Sequence, residues 1–289
     1  MPGLRWMVGG VEVHQLVEVE AGTIIQSIID GATPAAICEI DWLIPHFADS
    51  EGNLKAAVQG FLIRSSGRNI LIDTCVGNDK ERAEVPEWSQ LDTAFLTGLN
   101  NLGLSAEDVD IVACTHLHMD HVGWNTRRED GSWVPTFPNA SYLFAGDEYE
   151  YWRHVPEKEI ADDHAAFRDS VSPIVEAGLA HLVDINHEID EHVRFMPTPG
   201  HTPGHVSVVI ESGDARAVIS GDALHHPCQM ARPEWSTESD TDPDRARETR
   251  IKLLADLAET ETLLLGSHFA DPVAGTVVRA GTGYELRLS

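Results

Sequence analysis

The sequence predicts an α+β protein whose chemistry sits at the C-terminal ends of its strands. Three observations predict it. Short apolar runs bounded by Gly and Pro recur along the chain and read as buried strands. Stretches with helical spacing lie between them. Four of the runs end just before a histidine or aspartate: residues 110–114 before His116, 193–196 before His201, 217–220 before Asp222 and 262–265 before His268. In sheet-based folds that edge gathers sites, because its loops stand on a rigid scaffold.

Taken in order, residues 8–29 alternate or run apolar through Val11, Val13, Leu16, Val17, Ile24, Ile25 and Ile28, and are expected as strands of a first sheet. Residues 30–56 show no clear period. They form an irregular excursion, either a packed surface loop or a wall of the pocket or a dimer contact, with Trp42 and Phe47 as its aromatic candidates. Residues 58–63 and 69–73 read as a hairpin turned at Ser65-Ser66-Gly67. Residues 88–102 carry Leu91, Phe95, Leu99 and Leu102 at helical spacing, and Ser105 opens a helix-like turn before the first ligand strand. A strand is expected over 140–144 and helices over 146–152 and 161–177. Asp242-Pro243 opens the last long helix, an acidic N-cap followed by proline, with Ala246, Ile251, Leu254, Leu257 and Ala258 on its apolar face. No linker, low-complexity tract or internal repeat interrupts the chain. The candidate ligands run from His116 to His268, so a single domain over 1–289 is expected.

The densest motif is Thr115-His116-Leu117-His118-Met119-Asp120-His121. Neutral imidazole and carboxylate are the usual side-chain ligands of zinc and similar divalent ions. On extended backbone, residues two apart point the same way, so His116 and His118 can converge on one ion. Asp120 and His121 follow a turn and point elsewhere, so the segment reads as serving two neighbouring metals. The alternative is a His-rich surface loop that binds nothing. Gly200-His201-Thr202-Pro203-Gly204-His205, Ser220-Gly221-Asp222-Ala223 and Ser267-His268-Phe269 weigh against that alternative.

These motifs in this order, preceded by Ile70-Leu71-Ile72-Asp73-Thr74, resemble the metallo-β-lactamase-fold hydrolases over residues 58–289. The C-terminal half is similar to the branch that includes acyl-homoserine lactonases and methyl parathion hydrolase. The resemblance implies a four-layer αββα sandwich. It implies that His116, His118 and His201 hold one metal, that Asp120, His121 and His268 hold a second, and that Asp222 bridges them. A bridging hydroxide would be the nucleophile, since coordination lowers the pKa of water from about 16 toward about 7. Two Zn2+ ions are expected, with manganese, cobalt or iron fitting the same donors. Asp120 and His225 are the candidate catalytic residues. His225 stands where the lactonases carry a tyrosine that hydrogen-bonds the substrate oxygen; a histidine can do that work or take a proton, and an ordinary loop histidine is the alternative. Asp73 is expected behind a ligand histidine or as a cap of its own loop. His205 is expected as a structural residue. Trp124 either lines the pocket or packs; with Trp42, Phe47 and His225 it completes the substrate-binding candidates. A homodimer is implied.

With 20 basic and 47 acidic residues the chain carries a net charge of −27, which repels phosphate backbones and disfavours a nucleic-acid partner. Two divalent cations would still reverse the local field for a small anionic substrate. No stretch reads as a signal peptide or a membrane span, so no membrane partner is expected. Cys38, Cys75, Cys114 and Cys228 lie far apart and read as free thiols of a reducing compartment, so a cytoplasmic location is expected. The function expected first is hydrolysis of a small ester-like substrate, a lactone, with a phosphotriester or another carboxylic ester as the alternative. Thioester hydrolysis ranks lower, because Lys55, Lys80, Lys158 and Lys252 are the only lysines available for a basic pocket. Iron-dependent redox chemistry also ranks lower, since in the di-iron branch the resemblance implies an acid where this chain has His118.

Overall fold

A computed structural model of the chain describes residues 3–155 and 161–288. The backbone forms two compact units: Met1–Met7, Val11–Val19 and Val58–Glu191 make the first, and Val8–Gly10, Glu20–Ala57 and His192–Ser289 the second.

The first unit is built on a sheet of seven strands, β1 (Arg5–Val8), β2 (Val11–Glu20), β3 (Ala57–Ser65), β4 (Arg68–Ile72), β5 (Ile111–Ala113), β8 (Ser141–Ala145) and β9 (Ala180–Val183), in that spatial order. A separate hairpin pairs β6 (Thr126–Glu129) with β7 (Ser132–Pro135). The expected hairpin is present: β3 and β4 pair antiparallel, Phe61 opposite Ile72, and the turn has Ser66 and Gly67 both at positive φ. Such a left-handed pair matches the twist of the flanking strands. Strands β4, β5 and β8 then run parallel in one register, Ile72 beside Ala113 and Ala113 beside Leu143. Parallel neighbours need crossovers, which leave long loops beyond their carboxyl ends. Asp73 follows β4 and the His116–His121 segment follows β5. Leu71, Ile72, Val112 and Tyr142 are fully buried, as strands covered on both faces should be.

The second unit carries a six-stranded sheet, β10 (Val193–Pro197), β11 (Val206–Ser212), β12 (Ala215–Ile219), β13 (Leu263–Leu265), β14 (Ala274–Ala280) and β15 (Gly283–Arg287). Every pairing is antiparallel except β12 with β13, where Ile219 lies beside Leu265. The crossover between them contains the long helix Pro243–Leu257. Its start is the expected one: Pro243 occupies the first turn and the Asp242 side chain accepts from Arg245 N. Asp222 follows β12 and His268 follows β13, so both stand beyond the carboxyl ends of a parallel pair.

The structure differs from expectation at three places. The stretch 8–29 is strand only as far as Glu20; Gly22–Ile28 is a helix whose one buried residue is Ile25. Its three isoleucines suit a strand, and tertiary packing overrides that weak preference. Helical spacing over 88–102 yields a helix only at Phe95–Asn101, preceded by a single 3-10 turn at Pro86–Trp88. The helix expected over 161–177 is broken into Ala161–Ala166, a π-helical turn at Phe167–Val171 and Ser172–Glu176. That turn carries Asp169, whose carboxylate accepts both arms of the buried Arg82 guanidinium at 2.9 and 3.2 Å. Part of the 30–56 excursion is ordered as the helix Pro34–Ile37 and the 3-10 turn Asp41–Leu43.

Candidate metal centre

In the first unit, the ligand motif leaves β5 as bent backbone and becomes one helical turn, Met119–Val122. His116 and His118 are brought together, Nε2 of the former 3.0 Å from Nδ1 of the latter. Asp120 and His121 lie in the helical turn, as their position after a break requires. Behind them stands Asp73, held at positive φ and 1% exposed. Its Oδ1 accepts from Thr115 N, and its Oδ2 accepts from Thr115 Oγ1 at 2.9 Å and faces His121 Nδ1 at 3.0 Å. Because Thr115 donates its hydroxyl proton to Asp73, the same oxygen can accept from His116 Nδ1, 3.1 Å away. An ionised carboxylate only accepts. Asp73 therefore sets Nδ1–H on His121 directly and on His116 through Thr115, leaving each Nε2 lone pair for a metal.

Sequence reasoning missed the residues that brace this segment. Glu148 Oε1 accepts from Leu117 N and from Trp152 Nε1, and Asp163 Oδ1 accepts from Met119 N. Burial pushes the Asp163 carboxyl above its usual range, against the pull of His118. Trp124, a pocket candidate, is 5% exposed; its ring stacks on Phe95 at 5.8 Å and its Nε1 donates to Glu18. Glu18 also accepts from Val76 N, and burial raises its pKa despite these bonds. Trp124 thus takes part in packing beside the ligand turn.

In the second unit, Asp222 is 3% exposed. Its Oδ1 lies 3.2 Å from His268 Nε2, and its Oδ2 lies 3.4 Å from His201 Nε2. The far nitrogens of both imidazoles are engaged: His268 Nδ1 donates to Ala57 O, and His201 Nδ1 donates to Asp240 Oδ1, each at 3.0 Å. Asp240, missed in the sequence, also accepts from Thr237 N. Burial works to raise its pKa, but the hydrogen bond from His201 holds it below the usual carboxylate range. His205 takes the structural place expected of it. Its Nδ1 faces Thr198 O, and its Nε2 accepts from Asp222 N at 2.8 Å, which pins the Asp222 turn.

His225 is 1% exposed, with Nε2 3.2 Å from Asp222 Oδ2 and its ring 4.8 Å from that of His201. Its backbone N donates to Gln229 Oε1. His226 is turned the other way: Nε2 donates to Phe47 O, and Nδ1 accepts from Cys228 N. Phe47 is buried against Trp42, His226 and Phe269, so it packs the excursion against the loops after Asp222 and His268, while Trp42 is half-buried. All four cysteines are free, and burial pushes the Cys75, Cys114 and Cys228 thiols up, which keeps them protonated.

The donor set suits zinc-type ions, with oriented imidazoles, a two-oxygen carboxylate facing two of them, and carbonyl or carboxylate partners behind. Among the described residues no helix is long and apolar enough to cross a membrane.

Residues 57–268 match the metallo-beta-lactamase superfamily domain. Over 201 residues the chain is 25% identical to the N-acyl homoserine lactonase AiiA of Bacillus thuringiensis subsp. kurstaki, covering 64% of this chain and 71% of that one. It is 28% identical over 133 residues to a probable metallo-hydrolase of Methanocaldococcus jannaschii, 46% of each. In three dimensions it is similar to AidC, a dizinc quorum-quenching lactonase, with a TM-score of 0.81 and 23% identity over 99% of this chain and 97% of that one. The hydrolase AbOPH gives a TM-score of 0.81 and 24% identity over 100% and 98%. These two likenesses establish the fold, α+β of the metallo-β-lactamase type. With the match covering most of its length, the chain belongs to the metallo-beta-lactamase superfamily and is one of its hydrolases.

Proposed function

We propose that the chain is a dinuclear metal-dependent lactonase. In this reading His116, His118 and His201 would hold one divalent ion, Asp120, His121 and His268 would hold the second, and Asp222 would serve both. The observation that carries this reading is the Asp222 carboxylate, with one oxygen toward His268 Nε2 and the other toward His201 Nε2. Zinc suits this donor set, and manganese, cobalt or iron could use it. Such ions supply a nucleophile at neutral pH by lowering the pKa of water, and a Lewis acid for the scissile carbonyl.

The chain's own residues do the rest. Asp73 and Asp240 keep His121 and His201 in the Nδ1–H tautomer, and His205 holds the backbone of Asp222. His225 is the residue proposed to hydrogen-bond the substrate oxygen or to take its proton, its ring being held beside Asp222 by the bond from its backbone to Gln229. With its buried thiols protonated, the chain needs no cysteine nucleophile. The relationship to the N-acyl homoserine lactonase AiiA supports a lactone over other esters. Phosphotriester hydrolysis would use the same groups, because specificity lies in pocket shape.

The test is proton release in a pH-stat from zinc-loaded protein given lactones of increasing acyl chain length, with a paraoxon-type triester as comparison. Fast, chelator-sensitive lactone opening is expected. Full metal occupancy with no lactone turnover would reject the substrate class and shift the assignment to triesters or other esters.

A further inference from the structure

Arg250 is a fully buried cation with no role in the chemistry above. It projects from the middle of the helix Pro243–Leu257 and is 0% exposed. A charge buried this deeply must be matched by partners, and its partners are informative. Nε donates to Ala223 O at 3.1 Å, the carbonyl one residue past Asp222. Nη1 donates to Pro233 O at 3.1 Å and to Trp235 O at 2.7 Å. Nη2 lies 3.8 Å from Asp240 Oδ2, on the carboxylate whose other oxygen holds His201 Nδ1. Trp235 O also accepts from Gln229 Nε2, and Gln229 Oε1 accepts from His225 N. One guanidinium therefore ties together the segments that carry Asp222, His201 and His225.

The helix itself is fastened to the same place. Thr241 N donates to His201 O, Asp242 N donates to Gly200 O, and Thr249 Oγ1 donates to Pro199 O. Gly200 has φ +134, and a Cβ there would lie 2.2 Å from Ala246 N, so the helix rests directly on the residue before His201. The helix that carries Arg250 is thus anchored to the His201 loop, while the Arg250 side chain reaches the Asp222 turn and comes within 3.8 Å of Asp240.

We propose that Arg250 is a positioning residue for metal binding, setting the Asp222 carboxylate and the His201 imidazole relative to each other through Ala223 O and Asp240. A guanidinium suits this task because its donors form a rigid fork, which a lysine ammonium on a flexible stem cannot reproduce. The proposal rests on the metal-dependent reading above.

It is tested with Arg250→Lys and Arg250→Met, each compared with wild type at temperatures well below its unfolding transition. Zinc affinity is read by competition with a chelator, and ligand geometry by the visible absorption of the Co2+-substituted protein. The expected result is zinc affinity about 10-fold or more weaker in both variants and a changed cobalt spectrum. In Arg250→Met, added guanidinium should restore part of the affinity. With a lactone that the wild type turns over, kcat should fall and KM stay near wild type. Asp240→Asn should weaken binding too, and the Arg250→Lys/Asp240→Asn double variant should lose less than the product of the single effects. If Arg250→Met does not fold, Arg250→Lys and its double variant carry the test. Wild-type zinc affinity and cobalt spectrum in folded Arg250→Lys would overturn the proposal while leaving the dinuclear reading intact. A wild-type chain that binds no metal would overturn both.

Discussion

His226 gives a stability prediction whose size can be worked out from its surroundings. Burial pushes its pKa down from 6.5 to about 4, opposed by its bond to Phe47 O. The neutral ring donates from Nε2 to Phe47 O at 2.9 Å and accepts at Nδ1 from Cys228 N at 3.1 Å. Protonating Nδ1 would set two donors against each other. In the unfolded chain nothing prevents protonation. The sign follows from proton counting: between the two pKa values the unfolded state binds the extra proton, so stability rises with pH. The contribution is fully present above about pH 6.5 and is lost as pH falls toward 4. At about 1.4 kcal/mol per pH unit, the interval between 6.5 and about 4 corresponds to about 3 kcal/mol. The assay is urea unfolding, followed by tryptophan fluorescence, of wild type and His226→Gln at several pH values from 7.5 to 4. Glutamine can make one of the two hydrogen bonds but does not titrate, so it should be less stable at pH 7.5. Wild type should then lose about 3 kcal/mol more than the variant on going to pH 4, and the gap should narrow or reverse. Two curves that stay parallel across this range would refute the assignment of His226 as a buried neutral imidazole.

Asp222→Ala should abolish hydrolysis and release most of the metal, since both facing oxygens are lost; full activity with two metals per chain would sink the bridging assignment. Asp73→Ala should weaken metal binding by about 10–100-fold through His121 and His116, read by chelator competition, with unchanged affinity counting against the tautomer argument. His225→Phe should lower kcat by about 100-fold while metal analysis shows no loss. Unchanged turnover would return His225 to an ordinary buried loop residue.

The seven proposed ligands were picked out by local rules, and their places in the chain follow those rules. Each follows a short apolar strand, and the break expected after His118 is the start of the helical turn Met119–Val122, although His116 and His118 lie on bent rather than extended backbone. Helix starts were legible for the same reason: Asp242-Pro243 is a chemical signal read within four residues. The helix Gly22–Ile28 was not, because its isoleucines fit a strand and only one of them is buried in the helix that forms. The π-helical turn at Phe167–Val171 was not legible either, since the pairing of Asp169 with Arg82 joins residues 87 apart in sequence.

The groups behind the ligands were legible only in part, and the difference is physical. Asp73 stands directly after a strand that neighbours the ligand strand, so its position follows from the sheet. Asp240 is 39 residues from His201 and lies in a loop without a period, and the Arg250 guanidinium donates hydrogen bonds to three backbone carbonyls, which every residue possesses. A hydrogen bond to a main-chain oxygen leaves no mark on the sequence at its receiving end. The same holds for His268 on Ala57 O and His226 on Phe47 O. Metal chemistry restricts the residue types that can ligate, whereas orientation is supplied by whichever donor or acceptor the fold brings within 3 Å. Positioning residues are therefore recognised by their burial and their bonds, and Arg250 is the one buried arginine or lysine of the second unit among the described residues.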